Sequence, residues 1–289
     1  MPTALKHAGA VWQLMGERRL GLIAAGVAFF AMLAIFPAVA ALIALVGFLA
    51  DPIAVEQALD MADDFLPEEV ASILSDQIGR LTSTATETLG LASFISLLMT
   101  TWSARLGVGA LIQGMTAIYG AAPRNGIRGT ILALFLTVIL IGVGVVAVTA
   151  MLLVPVVLAL LGQFLPGDSY LPFAAEVVRW AVALLALVVG LGIFYRYGPN
   201  RPKNQRSPFL SYGLFLALFL WSLASVGFSI FLANFGNYNE VYGSIGAVIA
   251  LLMWLYISAY AVLIGAALNY VVEKSNRDAQ AASALIKID

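Results

Sequence analysis

Arg105 carries the most promising chemistry in this chain. It follows the apolar run Leu89–Ser103 and precedes a second weakly polar run, Leu106–Tyr119. If the helix stops just past Ser103, the guanidinium snorkels to an aqueous interface. If the helix continues through Tyr119, the charge sits deeper. An ionisable group there is costly and marks an anion or lipid-headgroup contact. A second polar cluster is Asn234-Phe-Gly-Asn237-Tyr-Asn239-Glu240-Val-Tyr242-Gly243. Its amides and hydroxyls suit turns and interfacial anchoring, and also suit a polar solute or a sugar headgroup. Ser258, Ala261, Gly265 and Asn269 recur at helical spacing on one stripe. Small residues in that pattern let helices approach closely, with Asn269 as the polar member. Glu176 and Arg179 form an i, i+3 pair that reads as structural.

Other chemistries are missing their residues. The chain has no cysteine, so disulfides, thiolate nucleophiles and thiolate metal sites are excluded. His7 is the single histidine, so no His cluster forms within one chain. There is no Gly-rich phosphate loop ending in Lys. The acidic stretch 51–88 follows no calcium-loop spacing. No cofactor is implied, and an enzyme, a ribonuclease included, is the reading these residues disfavour.

The elements that would position these residues are membrane spans. Apolar residues make up 62% of the 289 and charged residues 11%. Soluble domains average about 45–50% and about 25%, so this chain lacks the polar surface that water requires. Six stretches are long enough to cross, at about 20–50, 89–110, 130–164, 171–194, 208–235 and 242–272. Together with an outer segment, 51–88, expected to form two short amphipathic helices, they make one membrane domain, 1–272. Residues 273–289 form a polar tail. The expected fold class is therefore all-α and polytopic.

Lys and Arg set the orientation. All but Arg80 and Arg179 of the 15 fall in alternate polar pieces: the start, 105–128, 196–206 and the tail. By the positive-inside rule both ends are cytoplasmic. The net charge of −1 points to no nucleic-acid partner. Six crossings also divide as three plus three, the arithmetic of inverted-repeat transporters, although the halves show no residue-level similarity.

Several blocks resemble the YihY/BrkB family of bacterial inner-membrane proteins, once labelled ribonuclease BN. They are Ala24–Ala31 with Phe36-Pro37, Ser103-Ala-Arg105-Leu-Gly107, Tyr195-Arg-Tyr-Gly-Pro199-Asn200-Arg201, and Tyr242–Ser258 followed by Gly265–Asn269. The last block is the most specific. The resemblance implies a six-helix inner-membrane protein associated with envelope integrity, with both ends cytoplasmic and a suspected transport role. This chain departs from the family near Met115 and Thr116, where relatives carry an Asn.

The combined expectation is a transport-type protein for a small solute, ion or lipid. Its polar site would use Arg105, Asn234, Asn237, Tyr242 and Asn269. Its partners would be membrane lipids, and a homo-oligomer is compatible with the sequence. A non-transporting scaffold for envelope assembly and a lipid-headgroup enzyme are the alternatives.

Overall fold

The computed structural model describes residues 3–49, 86–124, 126–162, 171–233 and 236–286. All regular elements among them are helical. They are α1 (Thr3–Glu17), α2 (Leu20–Leu49), α3 (Thr86–Ile118), α4 (Gly126–Gly162), α5 (Leu171–Tyr197), α6 (Tyr212–Ala233) and α7 (Gly236–Ile286), with a 3-10 turn at Lys203–Gln205. The all-α expectation holds.

Four of these helices contain stretches long and apolar enough to cross a bilayer: Gly126–Ala147, Glu176–Tyr197, Tyr212–Leu232 and Val248–Ser283. The pair Leu5–Glu17 and Leu20–Ile35, bent by 65°, makes a fifth if counted as one. Four or five of the six expected crossings are thus accounted for among the described residues, which exclude 50–85 and 163–170. The amphipathic helices expected over 51–88 lie outside the described residues, except where α3 begins at Thr86.

Several boundaries move for local reasons. α3 runs past residue 110 without a break, because no Gly-Pro or Asn-Gly punctuation interrupts it before Gly120. α6 starts at Tyr212 rather than 208. Pro208 sits in the loop, and the hydroxyl of Ser211 caps the helix by accepting the Leu214 N–H at 3.3 Å. α7 continues through the expected polar tail to Ile286, since Glu273–Ala282 contains neither Gly nor Pro.

The described residues fall into two compact units, one of residues 1–29 with 105–289 and a smaller one of residues 30–104. The smaller unit holds the later part of α2 and the earlier part of α3. In the larger unit α6 packs along α7, α4 packs along α5, and α1 docks on α7. Its core joins Leu14 and Leu20 to Met115, Ile118, Leu136, Tyr195, Leu214 and Leu263. Little of each span is buried, 11% to 28%, and Phe135, Val146, Leu185 and Phe219 point outward. A water-soluble protein does not leave this much apolar surface uncovered, so these faces are built for hydrocarbon.

Two local devices hold the larger unit together. At the end of α3 the Ala121 N–H reaches the Thr116 carbonyl and the Gly120 N–H reaches that of Ala117. Those bonds form a Schellman cap, and Gly120 takes the left-handed φ of 63° that it requires. At the α6–α7 crossing, Gly213 and Gly265 face each other so closely that a Cβ on either would strike the other's carbonyl oxygen. The Asn269 side chain closes this contact. Its Oδ1 accepts the Gly213 N–H at 2.7 Å and its Nδ2 donates to Ser211 Oγ at 2.9 Å.

Candidate functional site

The loop between α5 and α6 forms a polar knot with α7 and with the loop after α3. Arg201 donates to Glu273 at 2.5 Å, and Ser207 Oγ donates to the other Glu273 oxygen at 2.6 Å. A carboxylate only accepts, so the hydroxyl proton of Ser207 is committed to Glu273. Tyr119, 3.2 Å from Ser207 Oγ, is then the donor of that contact. The Arg201 guanidinium also lies 4.0 Å from the centre of the Tyr119 ring.

Burial first, and then the negative charge of Glu273, push the Tyr119 phenol up to about 12. It remains a protonated donor across the physiological range. A phenol raised above its usual value of 10 contributes its full stability below pH 10 and loses it as pH rises towards 12. Tyr119→Phe keeps the ring beneath Arg201 and removes one hydrogen bond. The expected cost is about 1 kcal/mol, read as a small drop in the denaturation midpoint of the detergent-purified protein.

Arg124 ties the α3–α4 loop to the end of α5. It donates to the carbonyls of Gly198 at 2.6 Å, Pro199 at 2.8 Å and Tyr197 at 3.4 Å. These carbonyls cluster at the negative end of α5, where helical partners run out. Asn200 reinforces the tie by donating to the Ala122 carbonyl at 2.8 Å. Burial, followed by the charge of Arg206, lowers the Arg124 pKa, but a guanidinium stays cationic.

Beside this tie lies a cavity of about 440 Å³, between the later part of α3 and the first turns of α4. Arg105, Gln113, Thr116, Arg124 and Thr130 supply its polar lining, and glycines and alanines supply most of the rest. Arg105, Gly109, Gln113 and Thr116 fall on one face of α3 at helical spacing. Among the described residues two guanidinium groups and no carboxylate line the space, a chemistry that favours an anion. The first turn of α4 adds the positive end of a helix to the same wall.

The residues expected at a site do not all converge. Arg105 lines this cavity and is half-buried. It lies 13 residues before the end of α3, roughly 20 Å along the axis, so it is no helix-end marker. Asn269 is buried at the α6–α7 crossing, where both ends of its amide are bonded, and it lines no part of this cavity. Asn237 and Tyr242 lie in the first turns of α7. Asn234 lies outside the described residues. Sequence reasoning missed Arg124, Tyr119, Ser207 and Glu273. Arg124 and Arg201 were read only as topology charges, and the Tyr195–Arg201 block was the available signal.

A family model described as "Virulence factor BrkB" matches residues 11–285. The chain is 26% identical to the ribonuclease-like protein YfkH of Bacillus subtilis over 258 residues, 88% of this chain and 90% of YfkH. It is 27% identical to a UPF0761 membrane protein of Delftia acidovorans over 254 residues, 86% of this chain and 58% of that protein. It is 31% identical to the UPF0761 membrane protein IL2447 of Idiomarina loihiensis over 114 residues, 39% of each chain. The chain thus spans less than two thirds of the length of several relatives it matches. No solved structure matches it.

Proposed function

The chain belongs to the BrkB family of membrane proteins, and from that premise we propose that it is a transport-type protein whose cavity between α3 and α4 admits an anionic solute or lipid headgroup. The single observation carrying this reading is that Arg105 and Arg124 both line one cavity, whose other polar lining among the described residues is Gln113, Thr116 and Thr130. A charge in the middle of a long apolar helix is costly to keep, and contact with a passing or bound anion is a function that accounts for it.

The topology in this proposal has six crossings, α2 to α7, with α1 outside them. α3 is the crossing that carries the anion contact. Both termini are cytoplasmic and the membrane is the bacterial inner membrane. The support is the alternation of Lys and Arg between polar pieces. A role in envelope integrity belongs to the same reading and rests on the resemblance. Activity on RNA is not part of it. Among the described residues no group of three or more His, Asp or Glu is placed to hold a metal ion.

The test uses purified protein in liposomes. One arm follows efflux of chloride, nitrate and inorganic phosphate, and the other follows transbilayer movement of a fluorescent phosphatidylglycerol. The wild type should exceed empty liposomes by at least tenfold in one arm. Arg105→Ala should fall to the empty-liposome rate while remaining monodisperse, and Arg105→Lys should retain part of the rate. A wild type indistinguishable from empty liposomes in both arms sinks the proposal. A co-purifying envelope protein would then favour a scaffold, and lipid turnover in detergent would favour a headgroup enzyme.

A further inference from the structure

α1 divides one end of the larger unit into two grooves of different character. On one side it forms an apolar groove of about 590 Å³ with α6 and α7. Val11, Trp12, Leu216 and Leu268 represent its walls, and its few polar members include His7 and Asn276. On the other side a polar groove of about 580 Å³ runs between α1 and α7. Its charged lining is Lys6, Arg18 and Lys274, against Glu17 and Asp278. His7 lines both grooves and marks where they adjoin.

Both grooves have the size of ligand sites, about 300–1,000 Å³. Their placement narrows the occupant. The apolar groove lies where α6 begins and where α7 passes from Leu268 and Val272 to Lys274 and Arg277, a change from apolar to charged sequence. Trp12 is 77% exposed and Tyr212 72% exposed along it. Amphipathic aromatics in that position mark the boundary between hydrocarbon and water. α1 meets α2 at 65°, so it turns away from the direction of that span and has the bearing of a helix lying in the headgroup layer.

We propose that α1, α6 and α7 hold one anionic bilayer phospholipid. An acyl chain lies against Val11, Trp12, Leu216 and Leu268. The phosphate sits past His7, between Lys6 and Lys274. The three cations of the polar groove outnumber its two carboxylates. That balance selects an anionic headgroup over a zwitterionic one. The site is separate from the Arg105 cavity, and it stands or falls without the transport reading.

The experiment places the full chain in nanodiscs of phosphatidylethanolamine with a trace of phosphatidylglycerol that carries a photoactivatable acyl chain. Labelled peptides are mapped after illumination. Label should concentrate on Val11–Met15 and Tyr212–Leu216, and unlabelled phosphatidylglycerol should compete at least fivefold better than phosphatidylcholine. Ala8→Trp, which fills the apolar groove, should reduce that label at least fivefold without changing label on Phe135 and Phe219. Lys6→Ala with Lys274→Ala leaves the groove open and should erase the preference for phosphatidylglycerol. Label spread evenly over all lipid-facing residues and unchanged by Ala8→Trp would reduce the groove to ordinary bilayer contact and overturn the proposal. Equal competition by phosphatidylcholine would overturn the headgroup assignment. Groove residues cross-linked to a second copy would give the surface to a dimer instead.

Discussion

Gly213→Ala should cost the larger unit about 3 kcal/mol or more and leave little protein that survives purification in mild detergent. The added methyl meets the Gly265 carbonyl oxygen and the Asn269 amide carbon, both inside van der Waals contact. Overpacking a core typically costs about 1–3 kcal/mol, because neighbouring side chains shift to make room. Here the obstacle is backbone of the facing helix, which cannot rotate aside. Separating the helices also breaks the hydrogen bond from Asn269 to the Gly213 N–H and leaves that group buried. Gly265→Ala meets the Gly213 carbonyl and the Tyr195 hydroxyl and should be equally damaging. Gly227→Ala is the control, since nothing lies within 4 Å of a Cβ there. It should be neutral or gain up to about 1 kcal/mol from helix propensity. The measurement is the fraction of monodisperse protein against temperature for the three variants. If Gly213→Ala behaved like Gly227→Ala, the close α6–α7 crossing would be wrong.

The second large effect is expected at Glu273. Its side chain is 21% exposed and that of Arg201 is 7% exposed. Removing one member of a buried pair costs about 3–5 kcal/mol, chiefly because the other charge is left without compensation. The partial exposure of Glu273 puts Glu273→Ala near the lower end, about 3 kcal/mol. Glu273→Gln keeps one acceptor oxygen for Arg201 and turns its NH2 towards Ser207 Oγ, which can accept instead, so it should lose about half as much. The deciding measurement is a double-mutant cycle. Adding Arg201→Met to Glu273→Leu should recover most of the loss, as apolar replacement of a whole buried pair often does. If the two losses added instead, Arg201 and Glu273 would not be acting as a pair.

Much of this molecule was readable from composition and periodicity. Long apolar runs with few charges permit only helices in a bilayer, because every backbone group must find its partner locally. That argument gives the all-helical fold with no knowledge of contacts. Asn269 was readable as the polar end of a small-residue stripe, and it does sit at a tight helix crossing. Arg105 stands out in the sequence as a charge in an apolar run, and in the fold it lines the cavity beside α4. Arg124 was not, because its partners, Tyr197, Gly198 and Pro199, are more than 70 residues away. Nothing local distinguishes an arginine that caps a distant helix from one that only orients the chain. The Glu273–Ser207–Tyr119 network was hidden for the same reason, since it joins three separate stretches of sequence.

The docking of α1 on α7 brings together the earliest and latest helices described, and this has a bearing on how the protein is made. More than 200 residues separate Glu17 from Gly236, which a ribosome takes roughly 10–40 s to add. Throughout that interval α1 has emerged but its partner does not yet exist. Val11 and Leu14, later buried, face either water or the membrane surface. An amphipathic helix in that position can wait at the surface until α7 arrives. Assembly of the larger unit is therefore a closing step, completed when the last helix meets the first. A chain stalled or cut short within α7 would leave α1 without its dock, however well the intervening helices had inserted.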